Sequence, residues 1–570
     1  MPKFISTKTV PCLLASVALM SCSVNKSAPP QVSDQMIEGA QSILQPWASD
    51  SAPGVAVAVS LNDKIVFASG AGLANLEHGV QIDPESVFLV ASVSKQFTAF
   101  ATFLLVSEGE IDLDADIRTY LPELNETSRV ITVRHLLDHM GGLRERNTLA
   151  AMAGWMEDDI QTEAQLLDLV VRQNGVNFLA GDELEYSNTG YALLAAIISR
   201  VSGQSFHDFM EDRIFEPLGM TQSRFPESRH DLIPGRATSY YPDGESFKNI
   251  VSAGEAIGST GLYTTVLDLL KWSENFETQT VGDKAVFEMM AERSSATNGK
   301  PSTFARGQER RPYNGLDTWS HGGRDAGYRS FVLRVPEEDF ELSIISNRTD
   351  FDTAKMAFAL VETFLSSSEG YQSTPPALFD PATPDELAAY AGDYEFYPGV
   401  IFALRATSNG LTFAPFDAPR DDLEPLPQIG ERQFDLNAQT GLSINFSVPE
   451  DGKSAGFEYQ IGLHGALDAQ RVELQAFDAE SANPEDYIGV YESTELEAKY
   501  TLTAEDGVLY AKHIRLPAFA LSAFQEDVFS GLGGPLQKVE FFRGEDGRVE
   551  GFFASAPLVE QILFERSEND

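Results

Sequence analysis

A serine and a lysine three residues apart, in Ser92-Val93-Ser94-Lys95, put a nucleophile beside a base at the head of an apolar run. Residues i and i+3 share a helix face, so on a helix Lys95 would lie against the Ser92 hydroxyl. The free N–H groups of the first turn would favour a developing alkoxide there. Burial disfavours an ammonium, which would leave Lys95 a neutral base. Such a pair suits acyl transfer: the hydroxyl attacks a carbonyl and the lysine takes its proton. Two later stretches offer partners, a phenol and an amide in Tyr186-Ser187-Asn188, and an imidazole with two residues lacking a Cβ in His321-Gly322-Gly323. Singly, each has an ordinary explanation: a solvated Ser-x-x-Lys string, a core tyrosine, a helix-capping asparagine, a loop histidine. Their coincidence in one order points to chemistry.

The elements that must position these residues are readable nearby. Gln96 to Val106 is apolar on nearly every face and Gly109 follows, which predicts a buried helix. Tyr191 to Val201, ended by Gly203, predicts a second helix with Tyr186–Asn188 as a loop at its entrance. The runs Tyr328–Val335 and Phe340–Ile345, joined by Pro336-Glu-Glu-Asp, predict a β-hairpin. His321-Gly322-Gly323 would then stand just before a strand that lines the site.

The order Ser-x-x-Lys, Tyr-x-Asn, and a basic residue followed by x-Gly resembles the penicillin-recognising serine hydrolases: class C β-lactamases, D,D-carboxypeptidases, D-aminopeptidases and related esterases. The stretches Val87–Lys95, Ile131–Leu143, Pro217–Met220, Gly258–Leu262 and Leu269–Trp272 look like further landmarks of that family in the family's order. The resemblance covers about Gln31 to Ser368. It implies an α/β (α+β) catalytic domain of the β-lactamase/transpeptidase type, an antiparallel sheet flanked by helices, plus a helical subdomain. It also implies roles. Ser92 would form an acyl-enzyme, Lys95 and Tyr186 would share general base duty, and either could take the first proton. Asn188 would hydrogen-bond the substrate amide and His321 its polar end. The backbone N–H groups of Ser92 and Arg324 would form the oxyanion hole, with Gly322 and Gly323 letting substrate lie against the strand. No cofactor is implied.

One departure from the family pattern matters. β-Lactamases and carboxypeptidases usually carry Lys-Thr-Gly where this chain has His321-Gly322-Gly323. Lysine is a fixed cation for a substrate carboxylate, whereas histidine titrates near 6.5 and is largely neutral at pH 7. Histidine there looks more like the D-aminopeptidases and some esterases. The expected reaction is cleavage of an amide or peptide bond, with an esterase or β-lactamase as the alternative and a non-catalytic ligand sensor as the alternative of another class.

Rival motifs carry less. His135 and His139, four residues apart, could share a helix face as zinc ligands, but no cysteine and no third ligand accompanies them. Gly452-Lys-Ser-Ala-Gly456 matches a nucleophile elbow by letter and lacks a following helix. No phosphate loop or dinucleotide fingerprint is present.

Composition and targeting set the context. Lys3 and Lys8, the apolar stretch Val10–Met20 and the ending Leu19-Met20-Ser21-Cys22 read as a lipoprotein signal over 1–21, with lipid on Cys22. The expected location is therefore the periplasm, with membrane contact through that anchor only. The other of the two cysteines, Cys12, lies inside the signal, so no internal disulfide is expected in the mature chain. A formal charge of −44, from 41 basic and 85 acidic residues, argues against nucleic acid as a partner and leaves a small-molecule or peptide substrate. The expected divisions are a tether over 22–31, the catalytic domain over 32–368 and a linker over 369–384. Two small antiparallel β-barrels would follow, over 385–478 and 479–570, because Tyr390-Ala-Gly-Asp-Tyr394 recurs as Tyr487-Ile-Gly-Val-Tyr491. D-aminopeptidases of the family also carry two such barrels. Oligomeric state is left open.

Overall fold

Six strands form one antiparallel sheet: β1 (Val55–Leu61), β2 (Ile65–Ala71), β3 (Glu309–Tyr313), β4 (Leu316–Asp325), β5 (Tyr328–Val335) and β6 (Phe340–Ser346), in the order β2-β1-β6-β5-β4-β3. The computed structural model describes residues 32–567 apart from 157–158, 253, 256, 294, 296–302, 374–378, 417–422, 424, 438–441, 450–451, 462–465 and 475–481. Cys22 and the signal segment lie outside the described residues. β1 and β6 are buried along their whole length because both faces of the sheet are covered. On one face Val55, Val57 and Val59 pack with the helices Asp34–Leu44 and Thr353–Leu365. On the other, Ala56, Ala58, Val332 and Ile345 join the core around the helices Ser94–Ser107, Asn188–Ser202 and Val266–Thr278. This is the expected catalytic architecture, a helix-flanked antiparallel sheet with a helical region beside it.

The helix expected over Gln96–Val106 runs from Ser94 to Ser107 and is buried from Ser94 to Leu105. Phe97 stacks on Trp272 at 4.2 Å, and the Trp272 indole donates to Gln96 Oε1 at 2.8 Å, so the one polar atom of that ring is satisfied. Ser92 itself is not in the first α-turn. It sits in a 3-10 turn, Ala91–Val93, that feeds the helix. The second helix, Asn188–Ser202, is capped by Ser187, whose hydroxyl accepts from Gly190 N at 3.1 Å, and Gly203 ends it with a φ of +70°.

The hairpin β5–β6 forms as expected, with the short turn Pro336–Glu338. His321-Gly322-Gly323, however, lies inside β4 and not ahead of β5, paired with Val332, Phe331 and Ser330. Two adjacent glycines have poor strand propensity and hide this strand from a pattern reading, yet the ladder to β5 runs straight through them.

Two β units follow the catalytic region. Between Gly392 and Val472 seven antiparallel strands form a sheet with no closing pair among the described residues, so this barrel is nearly closed. Between Gly489 and Arg566 eight strands form a closed barrel. The repeated motif does the same thing in each. Tyr394 donates to Tyr390 O at 2.7 Å and Tyr491 to Tyr487 O at 2.9 Å. An arginine from the last strand of each unit lies over the second tyrosine, Arg471 at 5.1 Å and Arg566 at 6.0 Å. A Cβ on Gly392 would meet Arg471 at 2.3 Å and one on Gly489 would meet Arg566 at 2.8 Å, so each glycine makes room for its arginine. The Gly452–Gly456 stretch leads into the strand Gly456–Ile461, not into a helix.

The closed barrel docks on the catalytic region. Leu149, Ala150 and Met152 of the helix Arg146–Met152 share an apolar cluster with Tyr500, Leu502 and Phe564. Around it, Arg144 bonds Glu495 at 2.6 Å and the carbonyl of Gln561 at 2.8 Å. The Leu558 carbonyl accepts from Glu145 N at 2.9 Å and from Asn177 Nδ2 at 2.8 Å. Among the described residues no helix is long and apolar enough to cross a membrane.

Candidate active site

The side chains named from the sequence converge. Lys95 is fully buried, and its Nζ lies 3.2 Å from Ser92 Oγ, 2.7 Å from Asn188 Oδ1 and 2.9 Å from the carbonyl of Ser259. The ammonium also stands 4.7 Å over the Tyr186 ring. Among the described residues none of the hydrogen-bond contacts to Nζ is a carboxylate. Burial therefore dominates and pushes the lysine well below its usual pKa, with the charge of Arg146 acting in the same direction and those of Glu145 and Asp325 opposing.

Tyr186 moves the other way. Burial raises its phenol above the ordinary range, a hydrogen bond with Ser92 opposing. The pair thus separates into a lysine that gives up its proton readily and a tyrosine that keeps it. His139 stacks on Tyr186 at 4.5 Å, and its Nδ1 accepts from Ser187 N at 3.0 Å. His135 likewise spends Nδ1 on the backbone N–H of Thr132, as part of a helix cap. Both rings therefore serve local structure, and among the described residues no group of three metal-binding side chains occurs.

β4 brings the third motif alongside. Gly323 packs so closely on the segment before Ser92 that a Cβ would stand 2.2 Å from Val90 O and 3.2 Å from Ala91 Cβ. Ser330, its partner on β5, donates to the same Val90 carbonyl at 2.7 Å. His321 is buried, with Nδ1 2.6 Å from Gly322 O and its ring 6.3 Å from that of Tyr186. Arg324 follows on the same strand, paired with Arg329. Ala91, directly before Ser92, has a φ of +49°, a costly conformation for a residue with a Cβ. The strand contacts on Val90 hold the bend that presents Ser92.

Pattern reading missed the layer behind these residues. Glu145 accepts from Asn188 N at 2.8 Å and from Asn188 Nδ2 at 3.1 Å. The buried Arg146 donates to Ser259 Oγ at 2.7 Å and reaches Glu163 at 3.5 Å. Asp325, its carboxyl raised by burial, accepts from Thr260 at 2.9 Å. The available signal was the charged triplet Arg144-Glu145-Arg146 directly after an apolar landmark.

The profile of the Beta-lactamase family matches residues 40–363. The chain is 24% identical over 539 residues to a D-aminopeptidase of Brucella canis, covering 90% of this chain and 96% of that one. It is 26% identical over 310 residues to a D-aminopeptidase of Gluconobacter oxydans, covering 54% of this chain and 58% of that one. Its fold matches the octameric penicillin-binding protein homologue from Pyrococcus abyssi with a TM-score of 0.52 at 20% identity, over 76% of this chain and 99% of that one. With its catalytic architecture matched over more than half its length, the chain belongs to the beta-lactamase family of penicillin-recognising serine hydrolases.

Proposed function

We propose that this serine hydrolase cleaves an amide or peptide bond through an acyl-enzyme on Ser92, with amides and short peptides of D-amino acids as its leading substrates. The observation that carries the reading is the buried Lys95 Nζ, 3.2 Å from Ser92 Oγ and without a carboxylate contact. Neutral Lys95 takes the hydroxyl proton as Ser92 attacks the carbonyl. That proton then passes from the Lys95 ammonium to the departing amine through the Tyr186 phenol, which gives up one proton as it takes the other, so both side chains end as they began. The N–H groups of Ser92 and Arg324 hold the oxyanion, Asn188 donates to the substrate amide, and His321 faces its polar end. The D-amino-acid preference is supported by the named activity of the Brucella and Gluconobacter relatives and by histidine in place of lysine at 321. Export, with lipid on Cys22, completes the reading.

The test is a panel of D-alanine amide, D-Ala-D-Ala peptides, a chromogenic cephalosporin and short acyl esters, each with wild type and Ser92→Ala. Highest kcat/KM on the D-amide is expected. Preference for an ester or the cephalosporin would move the assignment within the family, and no Ser92-dependent turnover on any of them would favour the sensor alternative.

His321 has its own expected outcome. His321→Lys adds a fixed cation, which favours a free substrate carboxylate, a gain of about 1.5–3 kcal/mol or roughly 10 to 10² in relative kcat/KM. The ratio of D-Ala-D-Ala peptide to D-alanine amide turnover, measured at one pH, cancels general damage to the site. A ratio unchanged within about threefold would remove His321 from substrate selection.

A further inference from the structure

Glu145 comes from none of the three motifs that form the site, yet both its oxygens are spent there. Oε2 accepts from the backbone N–H groups of Asn188 at 2.8 Å and Thr189 at 3.4 Å, and Oε1 accepts from Asn188 Nδ2 at 3.1 Å. The side chain is 4% exposed, and its own N–H is tied to the Leu558 carbonyl of the closed barrel. These bonds decide which way the Asn188 amide points. Its oxygen faces Lys95 Nζ at 2.7 Å. The flipped amide would set NH2 against the lysine's donors and oxygen against a carboxylate, two repulsive contacts in place of two hydrogen bonds.

We propose that Glu145 is a positioning residue, whose carboxylate locks the Asn188 amide with its oxygen toward Lys95 and so holds Nζ at the Ser92 hydroxyl. The proposal rests on Ser92 and Lys95 being nucleophile and base, and not on which acyl group is cleaved. A glutamine in its place has the same shape but can donate as well as accept, so either Asn188 orientation would be tolerated and the lock lost.

The carboxylate has a second effect on the same lysine. The groups that face Lys95 are Ser92 on its own turn, Tyr186, Asn188 and Tyr191 around the Asn188–Ser202 helix, and the Ser259 carbonyl from the segment before β3. Glu145, Arg146, Asp325 and the buried His139 act on it through charge. Glu145 is the largest influence favouring the ammonium. Removing its charge lowers the pH at which Lys95 becomes neutral, so the acid limb of a Lys95-dependent rate moves to lower pH. A part that merely braced the fold would not move that limb.

The experiment follows labelling of Ser92 by a fluorophosphonate, in which the serine oxygen bonds phosphorus, fluoride leaves and the hydroxyl proton passes to Lys95. Its rate is read by intact mass across pH, with thermal melting beside it. In Glu145→Gln the acid limb is expected about one pH unit lower and the plateau about tenfold slower. Glu145→Asp keeps the charge and is expected to hold the limb within about 0.3 unit of wild type. An unmoved limb in Glu145→Gln, equal movement in both variants, or a glutamine chain that does not fold would each overturn the proposal. Labelling that persists in Ser92→Ala would instead defeat the nucleophile assignment, and normal labelling without D-amide turnover would defeat only the substrate assignment.

Discussion

Ser92→Ala is expected to lower kcat on the best substrate by on the order of 10³-fold or more, the scale seen when an acyl-transfer site loses its nucleophile. The expectation follows from geometry as well as motif. The hydroxyl lies between Lys95 Nζ and Tyr186, so it can lose its proton to one and the leaving group can receive one from the other. The variant should keep its stability, because Lys95 retains its bonds to Asn188 Oδ1 and the Ser259 carbonyl. Equal melting temperatures with collapsed turnover would therefore isolate chemistry from folding. What remains would come from the oxyanion donors and substrate binding alone. Turnover within tenfold of wild type would remove Ser92 as the nucleophile.

Arg306→Met is expected to cost about 3–5 kcal/mol of stability, the usual result of leaving one member of a buried ion pair without the other. The Arg306 side chain is 1% exposed; its Nε donates to Asp138 Oδ1 at 2.9 Å, and one terminal nitrogen reaches both Glu292 at 2.8 Å and the Met289 carbonyl at 3.0 Å. Methionine fills much of the volume and leaves Asp138, 5% exposed, with an uncompensated charge. Pairing the change with Asp138→Leu should recover most of the loss, since the pair's own net worth is small. Denaturant midpoints for wild type, single and double variants test this; a single-variant loss below about 1 kcal/mol would show that water reaches Asp138. Activity should fall too, because the next residue, Gly307, packs on the backbone of the helix Ser94–Ser107. A Cβ there would stand 2.9 Å from Lys95 O.

Ser92, Lys95, Tyr186, Asn188 and His321 were legible because each is a distinctive side chain at a fixed offset from a periodic apolar segment. Helix periods then predicted the elements beside Ser92, Lys95, Tyr186 and Asn188, whereas His321 was expected ahead of β5 and lies inside β4. The Ser259 carbonyl that bonds Lys95 has no side-chain signature, since every residue carries one. Glu145 had only the charged triplet Arg144-Glu145-Arg146 to mark it, and nothing in the local pattern of Arg306 separates a buried anchor from a solvated charge. The strand β4 was obscured by its own function: the glycine that lets the strand lie against Val90 is the residue that makes it look like a loop. The Ala91 bend is likewise a tertiary product, held by Ser330 and Gly323 against the preference of alanine itself. The tyrosine repeat of the two β units was readable, because two hydroxyls bonding back four residues demand the same spacing twice.

The last two strands, Val549–Ala556 and Val559–Arg566, form a hairpin that clasps Glu145 from its turn and Arg144 from its second strand. The final strand also closes the barrel against Gly489–Ser493. About four hundred residues separate Glu145 from Leu558. At roughly 5–20 residues per second of synthesis, the segment that holds Asn188 waits some 20–80 s for its clasp. The catalytic region is made early and finished late. A chain without the strand Val559–Arg566 would carry every motif of the site, with neither the barrel seam nor the Gln561 bond to Arg144 that backs the Asn188 anchor.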